Sequence, residues 1–381
     1  MLASALTALA GATAALHTPR STTRRDALGL GLAAAAAAPH PAPVAAAAAD
    51  PSLLRSILAA DPSSPYPAQA KSAAGSRLAR ALESTQKQVP TGRYPSSTTL
   101  ADGQTFPLAS FGLQFYDDAT AERLTLMAIE AGFRNFFVQS AAHNQRGFAR
   151  GVKASGVPRE ELYICGSVTS NRAPEAAAAY KLTASDCAEN LDSISAGGGI
   201  AALDALMLIP GRRDTWPDRS VRAQWRALED FQAQGGARSL AVANFSPARL
   251  DAILLEEGRR TRPVVNQLPF CVGYHDPDVV AANARRGVHV QAWSPLGQGK
   301  LTRFVGDAPE AKQACAEVGA KYGKSACQVG LRWITQSGAS FTVASASAAH
   351  FAEDLALFDW QLDAEDMARL SGLNKQRDAR I

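Results

Sequence analysis

Ala128 to Gly147 reads AIEAGFRNFFVQSAAHNQRG. Its first residues close an amphipathic helix, Thr120–Ala131, in which Leu124, Met127, Ala128 and Ala131 share one face. Gly132 suits the left-handed turn that ends a helix. Asn135-Phe136-Phe137-Val138 is a short apolar run, as expected of a parallel strand covered on both faces. Gln139 to Asn144 is a loop that opens into another helix. In an α/β barrel, chemistry sits at the C-terminal ends of the strands. Here that end carries Phe137, Gln139, Ala141 and Ala142, with no acid and no phenol.

The same alternation extends in both directions. Candidate strands are Leu108–Leu113, Asn135–Val138, Leu162–Val168, Ala205–Ile209, Ser239–Asn244, Val264–Leu268, His289–Trp293 and Ser340–Ala344. Between them lie amphipathic segments at Thr120–Ala131, Ser220–Gln234, Pro247–Glu257, Pro277–Arg286, Pro309–Tyr322 and Ser325–Gln336. Several start with Ser-Pro or Asp-Pro, a helix-start signal. Eight strands alternating with helices over about 250 residues predict a TIM (β/α)8 barrel. The alternative is a doubly wound sheet. That fold usually carries a glycine-rich dinucleotide turn after its first strand, and Gly112-Leu113-Gln114 is not followed by one.

Net charge is small, +4 over 381 residues, and no block of Lys and Arg stands out. That argues against nucleic acid and against a membrane-surface patch. Five cysteines at 165, 187, 271, 315 and 327 are odd in number and never spaced as CxxC. Neither a disulfide framework nor a metal site is expected. Cys165 and Cys327 lie in apolar segments and are expected in the core.

The first 49 residues read as a targeting presequence. Leu2 to Leu16 resembles the apolar core of a secretory signal, with small residues near 12–15 for cleavage. Thr23-Arg24-Arg25-Asp26-Ala27-Leu28 and the alanine tract that follows resemble a twin-arginine export signal ending before Asp50. Two export segments in series imply the thylakoid lumen of an alga whose plastid is reached through the secretory route. The alternative is one signal peptide and a low-complexity linker, giving a secreted protein. After Ala49 there is no 18-residue apolar run, so no membrane-spanning segment is expected there. Residues 50–96 form an extension or linker, and the barrel domain spans 97–381.

Several stretches then resemble the aldo-keto reductases. They are Thr99-Leu100-Ala101-Asp102-Gly103, Phe106-Pro107-Leu108, Phe111-Gly112-Leu113, Ala131-Gly132-Phe133-Arg134 and Ser155 to Ile164. Later come Val242-Ala243-Asn244-Phe245-Ser246, Val265-Asn266-Gln267, Ala292 to Gly297, Tyr322-Gly323-Lys324-Ser325 and Leu357-Phe358-Asp359-Trp360. They occur in family order from about residue 98 to 375, and the family fold is a TIM barrel.

The resemblance implies carbonyl reduction by hydride from NADPH. The proton then comes from a tyrosine whose pKa is lowered by a lysine paired with an aspartate, while a histidine orients the carbonyl. Counted from Gly132-Phe133-Arg134, the aspartate and tyrosine positions hold Phe137 and Ala142. The lysine position is Ser167, and the histidine position is Ile209, or Pro210 with a one-residue shift. None of the four carries the family's group, which implies no catalytic residue of the family type. His143, beside the tyrosine position, is a weak substitute acid. Gln139 and Ser167 offer hydrogen bonds, and Tyr116 is expected to wall the mouth.

The nicotinamide contacts are better matched by Asn244, Gln267 and the stacking aromatic Trp293, with Ser294 and Leu296 at phosphate-contact positions. Ala243 stands where a serine usually precedes the asparagine. Asn244 and Gln267 are equally consistent with braces for loop backbone. At the adenosine end, Ala344, Ser345 and His350 stand where lysine, serine and arginine grip the 2′-phosphate, and Glu353 and Asp354 stand at the adenine positions. Losing two charge-assisted contacts costs about 3–6 kcal/mol, or roughly 10²–10⁴ in affinity. Binding of NADP(H) or NAD(H) is therefore expected to be weakened. The sequence points to a degenerate reductase kept for binding or assembly, with an unidentified protein partner. The alternative is an active NAD(P)H-dependent oxidoreductase with a rebuilt site. A third reading uses Gly211-Arg212-Arg213-Asp214 in a different barrel enzyme.

Overall fold

The computed structural model describes residues 92–210, 217–297 and 309–373. The presequence, most of the 50–96 extension, and Arg212 and Arg213 lie outside the described residues. The described chain opens with a hairpin, β1 (Ser97–Thr99) and β2 (Thr105–Pro107). Eight strands follow: β3 (Ala109–Gly112), β4 (Asn135–Val138), β5 (Tyr163–Thr169), β6 (Leu203–Ile209), β7 (Ala237–Ala243), β8 (Pro263–Pro269), β9 (His289–Trp293) and β10 (Ser340–Val343). All pair in parallel and in sequence order, and β10 pairs with β3 to close the barrel. The TIM (β/α)8 expectation holds, and each strand lies within two residues of its predicted bounds.

The helices of the described residues are α1 (Asp118–Ala131), α2 (Gln145–Ser155), α3 (Ala176–Gly198), α4 (Asp218–Ala233), α5 (Pro247–Leu254), α6 (Val279–Ala284), α7 (Pro309–Tyr322), α8 (Ala326–Gln336), α9 (Ala348–Leu355) and α10 (Ala364–Ser371). The turn at Gly132 forms as read. Gly132 takes φ 112° and its N–H donates to the carbonyls of Ala128 and Ile129. α8 begins with a capping box between Ser325 and Gln328. α5 ends at Leu254, three residues before its predicted end, and α6 is shorter than predicted at both ends.

Alternation along each strand sorts side chains into two cores. Phe136 faces outward onto Phe148, ring centroids 5.7 Å apart. Phe111, Phe133 and Phe351 meet in the same outer layer, which also holds the buried Trp225, Trp333 and Trp360. Phe137 faces inward with Tyr163, Cys165, Met207, Ala241 and Val265.

The hairpin was not anticipated, and it floors the barrel. Phe106 meets Tyr163 and His289 edge-on at 4.9 and 5.6 Å, and Asp102 and Gln104 both bond Ser239. Burial there raises the Tyr163 phenol well above its ordinary value and lowers His289 to about 4.

All five cysteines are free. Cys165 is buried in the inner core, and Cys327 packs half-buried against the outer one. Among the described residues no helix is long and apolar enough to cross a membrane.

Candidate functional site

The C-terminal ends of the eight strands form the mouth. Phe137 lies between Gly112 of β3 and Cys165 of β5 and is 3% exposed. One step along, Ser167 pairs with Met207, and Ile209 pairs with Thr169. Phe137, Ser167 and Ile209 therefore line the inner wall where β4, β5 and β6 end. Ser167 is fully buried, and its Oγ accepts from the Ser140 amide at 3.2 Å. Ala142 ends a short 3-10 turn, Ser140–Ala142, that follows β4. The Ser167 hydroxyl thus already holds the loop that follows β4, and the half-buried Gln139 stands just beyond that strand.

The opposite quarter is polar and braced. Gln267 of β8 donates to Gln291 of β9 at 2.9 Å. Asn244 follows β7; its amide N–H donates to the Gln267 carbonyl at 2.8 Å. The Trp293 indole N–H donates to Asn244 Oδ1 at 2.8 Å, which sets the half-exposed ring beside the mouth. Asn244, Gln267 and Trp293 are thus brought together. Ser294 and the buried Leu296 continue the same loop. Gln291 was missed by the sequence reading; its inward place on β9, paired with Gln267, was the available signal.

Backbone strain marks the same rim. Among the described residues, the non-glycine residues with left-handed φ are His143 (52°), Asn244 (55°) and Ser294 (48°). Asn244 and Ser294 directly follow β7 and β9, and His143 caps the 3-10 turn after β4. Such conformations cost about 1–2 kcal/mol outside glycine and persist where surrounding contacts hold them.

Over β3, the Gln114 side chain lies across Gly112. A Cβ at residue 112 would come within 2.4 Å of Gln114 Oε1 and 3.0 Å of Thr342 Oγ1. Both of these oxygens are buried without a hydrogen-bond partner. Neither residue was singled out from the sequence.

Other expectations fall elsewhere. Tyr116 packs against the outer core rather than into the barrel, and burial raises its phenol pKa. Its carbonyl accepts from the buried Asn144 side chain, which also bonds the Leu113 carbonyl. His143 is exposed and lines a cleft against α3 whose lining includes none of Phe137, Met207, Gln267 or Trp293. At the start of α9, Ser345 Oγ lies 2.9 Å from His350 Nδ1, and Ala344 is exposed. Glu353 is half-buried on α9, its carbonyl accepting from Gln328 at 3.4 Å.

The comparisons with known proteins agree with this architecture. A model of the "Aldo/keto reductase family" matches residues 106–375. An aldo-keto reductase of Mycobacterium avium is 29% identical over 287 residues, covering 74% of this chain and 92% of that protein. A glyoxal reductase of Bacillus subtilis is 28% identical over 271 residues, covering 71% and 88%. The crystal structure of an aldo/keto reductase from Brucella melitensis matches with a TM-score of 0.64 at 21% identity, over 74% of this chain and 99% of that one, a likeness of fold. The chain belongs to the aldo/keto reductase family.

Proposed function

We propose that this protein is a binding member of its family that has given up proton transfer to a carbonyl. The observation that carries this reading is the inner wall formed by Phe137, Ser167 and Ile209. In the family register these are the aspartate, lysine and histidine positions, and Ala142 is the tyrosine position. Reducing a carbonyl needs an acid within hydrogen-bond reach of its oxygen. Among the described inward residues at the mouth, a phenylalanine, a serine, a methionine and an isoleucine supply none. The buried phenol of Tyr163 faces the floor, and its raised pKa makes it a poorer acid.

The residues fit one end of a nicotinamide nucleotide. The Trp293 indole N–H donates to the Asn244 side-chain amide, and the Asn244 backbone bonds that of Gln267, so a ring and two amides stand together, a set suited to a flat carboxamide-bearing ring. When bound, such a nucleotide supplies hydride. The residues do not fit a 2′-phosphate, because Ala344, Ser345 and His350 bring no fixed guanidinium or ammonium. NADH is therefore expected to bind about as well as NADPH, and both weakly. The unpartnered Gln114 and Thr342 oxygens favour a ligand with neutral hydrogen-bonding groups at the mouth. Leaving such groups buried and bare costs about 1–3 kcal/mol each.

The test is a titration of the protein from residue 50 onward with NADPH and NADH, followed by Trp293 fluorescence. A panel of aldehydes and ketones that includes glyoxal, suggested by the name of the Bacillus relative, comes next. Millimolar dissociation constants and no turnover support the reading. Turnover that disappears in His143→Ala overturns it in favour of an active oxidoreductase with a rebuilt site. We also propose the thylakoid lumen as its location, on the two serial export segments within residues 1–49. A fluorescent fusion of those residues found outside the cell would favour the secreted alternative.

A further inference from the structure

Gly112 ends β3, paired with the inward-facing Phe137. Phe111 before it belongs to the outer core, so alternation turns the Gly112 face into the barrel. Its φ is not left-handed, so the glycine is there for room. That room is taken by the chain itself. A Cβ at residue 112 would come within 2.4 Å of Gln114 Oε1 and 3.2 Å of Gln114 Cδ. The tip of the Gln114 side chain thus lies on the inner wall of the mouth.

Two observations make this a seat that Gln114 can leave. Its Oε1 is buried without a hydrogen-bond partner, as are the hydroxyls of Ser110 and Thr342, which pair across β3 and β10. The amide therefore fills space without a bond for its oxygen, and outside the barrel water would supply one. The way out is also short. Gln114 is only half-buried, and Phe115 beside it is 75% exposed. The backbone stays in place as the side chain leaves, because the Asn144 amide holds the carbonyls of Leu113 and Tyr116 at 2.6 and 2.8 Å.

The seat adjoins the nucleotide end of the mouth. β10 separates β3 from β9, which carries Trp293. Two strand spacings are about 10 Å around the rim. The β9–β10 register sets Thr342 level with Trp293, and Thr342 Oγ1 lies 3.0 Å from where a Cβ at 112 would be. A nicotinamide ring beside Trp293, with its ribose, reaches across that span and brings hydroxyls to Thr342. We propose that Gln114 and the nicotinamide half of a nucleotide compete for this wall, so that Gln114 sets the affinity of the mouth. The inference rests on the nicotinamide reading above. A seat filled about nine-tenths of the time raises an apparent dissociation constant about tenfold.

Titration calorimetry of the full chain with NADH, reduced nicotinamide mononucleotide and AMP tests this. Gln114→Ala is expected to bind the first two about tenfold more tightly than the parent, and AMP no more tightly. If Gln114→Ala does not fold, Gln114→Asn, one methylene shorter, carries the test with a gain in the same direction. The inference is overturned if NADH and the mononucleotide bind the folded variant no more tightly than the parent, if AMP gains as much as they do, or if neither parent nor variant binds them. Weak binding by the parent with no gain in the variant leaves the proposed function standing. Carbonyl turnover by the parent, with the gain in Gln114→Ala, overturns the proposed function and leaves this inference standing.

Discussion

Asn244 holds a left-handed backbone with a side chain that also receives the Trp293 indole N–H. The two roles separate by substitution. Asn244→Ala loses the bond and also the asparagine amide that eases a left-handed backbone, about 2–3 kcal/mol together. Asn244→Gly loses the bond but relieves the strain, so urea denaturation should show it to be the more stable of the two variants. His289 makes a second prediction. Burial lowers its folded-state pKa to about 4, beneath the ordinary 6.5. The unfolded chain therefore takes up a proton before the folded one does. The His289 contribution is complete above pH 6.5 and is lost as pH falls toward 4, up to about 3 kcal/mol. Unfolding free energies measured across that window should fall less steeply in His289→Gln than in the parent. Neither position's burden was legible in the sequence. Asn244 could be placed after a strand by its neighbours. Its φ, and the depth of His289 under a hairpin, are properties of the closed barrel. Phe137 was legible because the family resemblance, counted from Gly132-Phe133-Arg134, sets it at the aspartate position, and the structure turns that side chain inward.

At the level of elements, α1 and α2 touch through glycine. A Cβ at Gly147 would fall 1.8 Å from the Asp118 carbonyl oxygen, and one at Gly151 would fall 2.5 Å from that of Glu122. Gly147→Ala must push the two helices apart and is expected to cost at least 1–3 kcal/mol. Gly156→Ala meets open space at φ 66° and should cost only about 1 kcal/mol. Thermal denaturation of the two variants, with the larger drop in Gly147→Ala, checks this. The eight barrel strands were legible because each is a compact apolar run between polar turns. α3 was not. Its Ala176 to Ala179 and its Ser- and Thr-rich middle give little helical periodicity, and its Gly197 and Gly198 read as a loop. In fact they let α3 lie against the backbone of Arg146 and Ala149. β1 and β2 escaped for a different reason, since three residues are too few to show alternation.

Taken together, the described residues form a barrel with a floor and one mouth. Phe106 and Leu100 complete the inner core from below, so Phe106→Ala should cost about 3–5 kcal/mol in chemical denaturation. The strand alternation told the architecture, but not which end was sealed. That depends on side chains meeting across long stretches of sequence, and Gln104 reaches Ser239 over 135 residues. The consequence concerns time. The hairpin is among the first parts of the barrel to be synthesised, yet the residues it rests on, Tyr163, Ser239 and His289, arrive one after another much later. Such long-range closure is slow. Until β9 is made, Phe106 is covered on one side only, by Tyr163, and a chaperone or a second nascent chain has an apolar handle to hold throughout that interval.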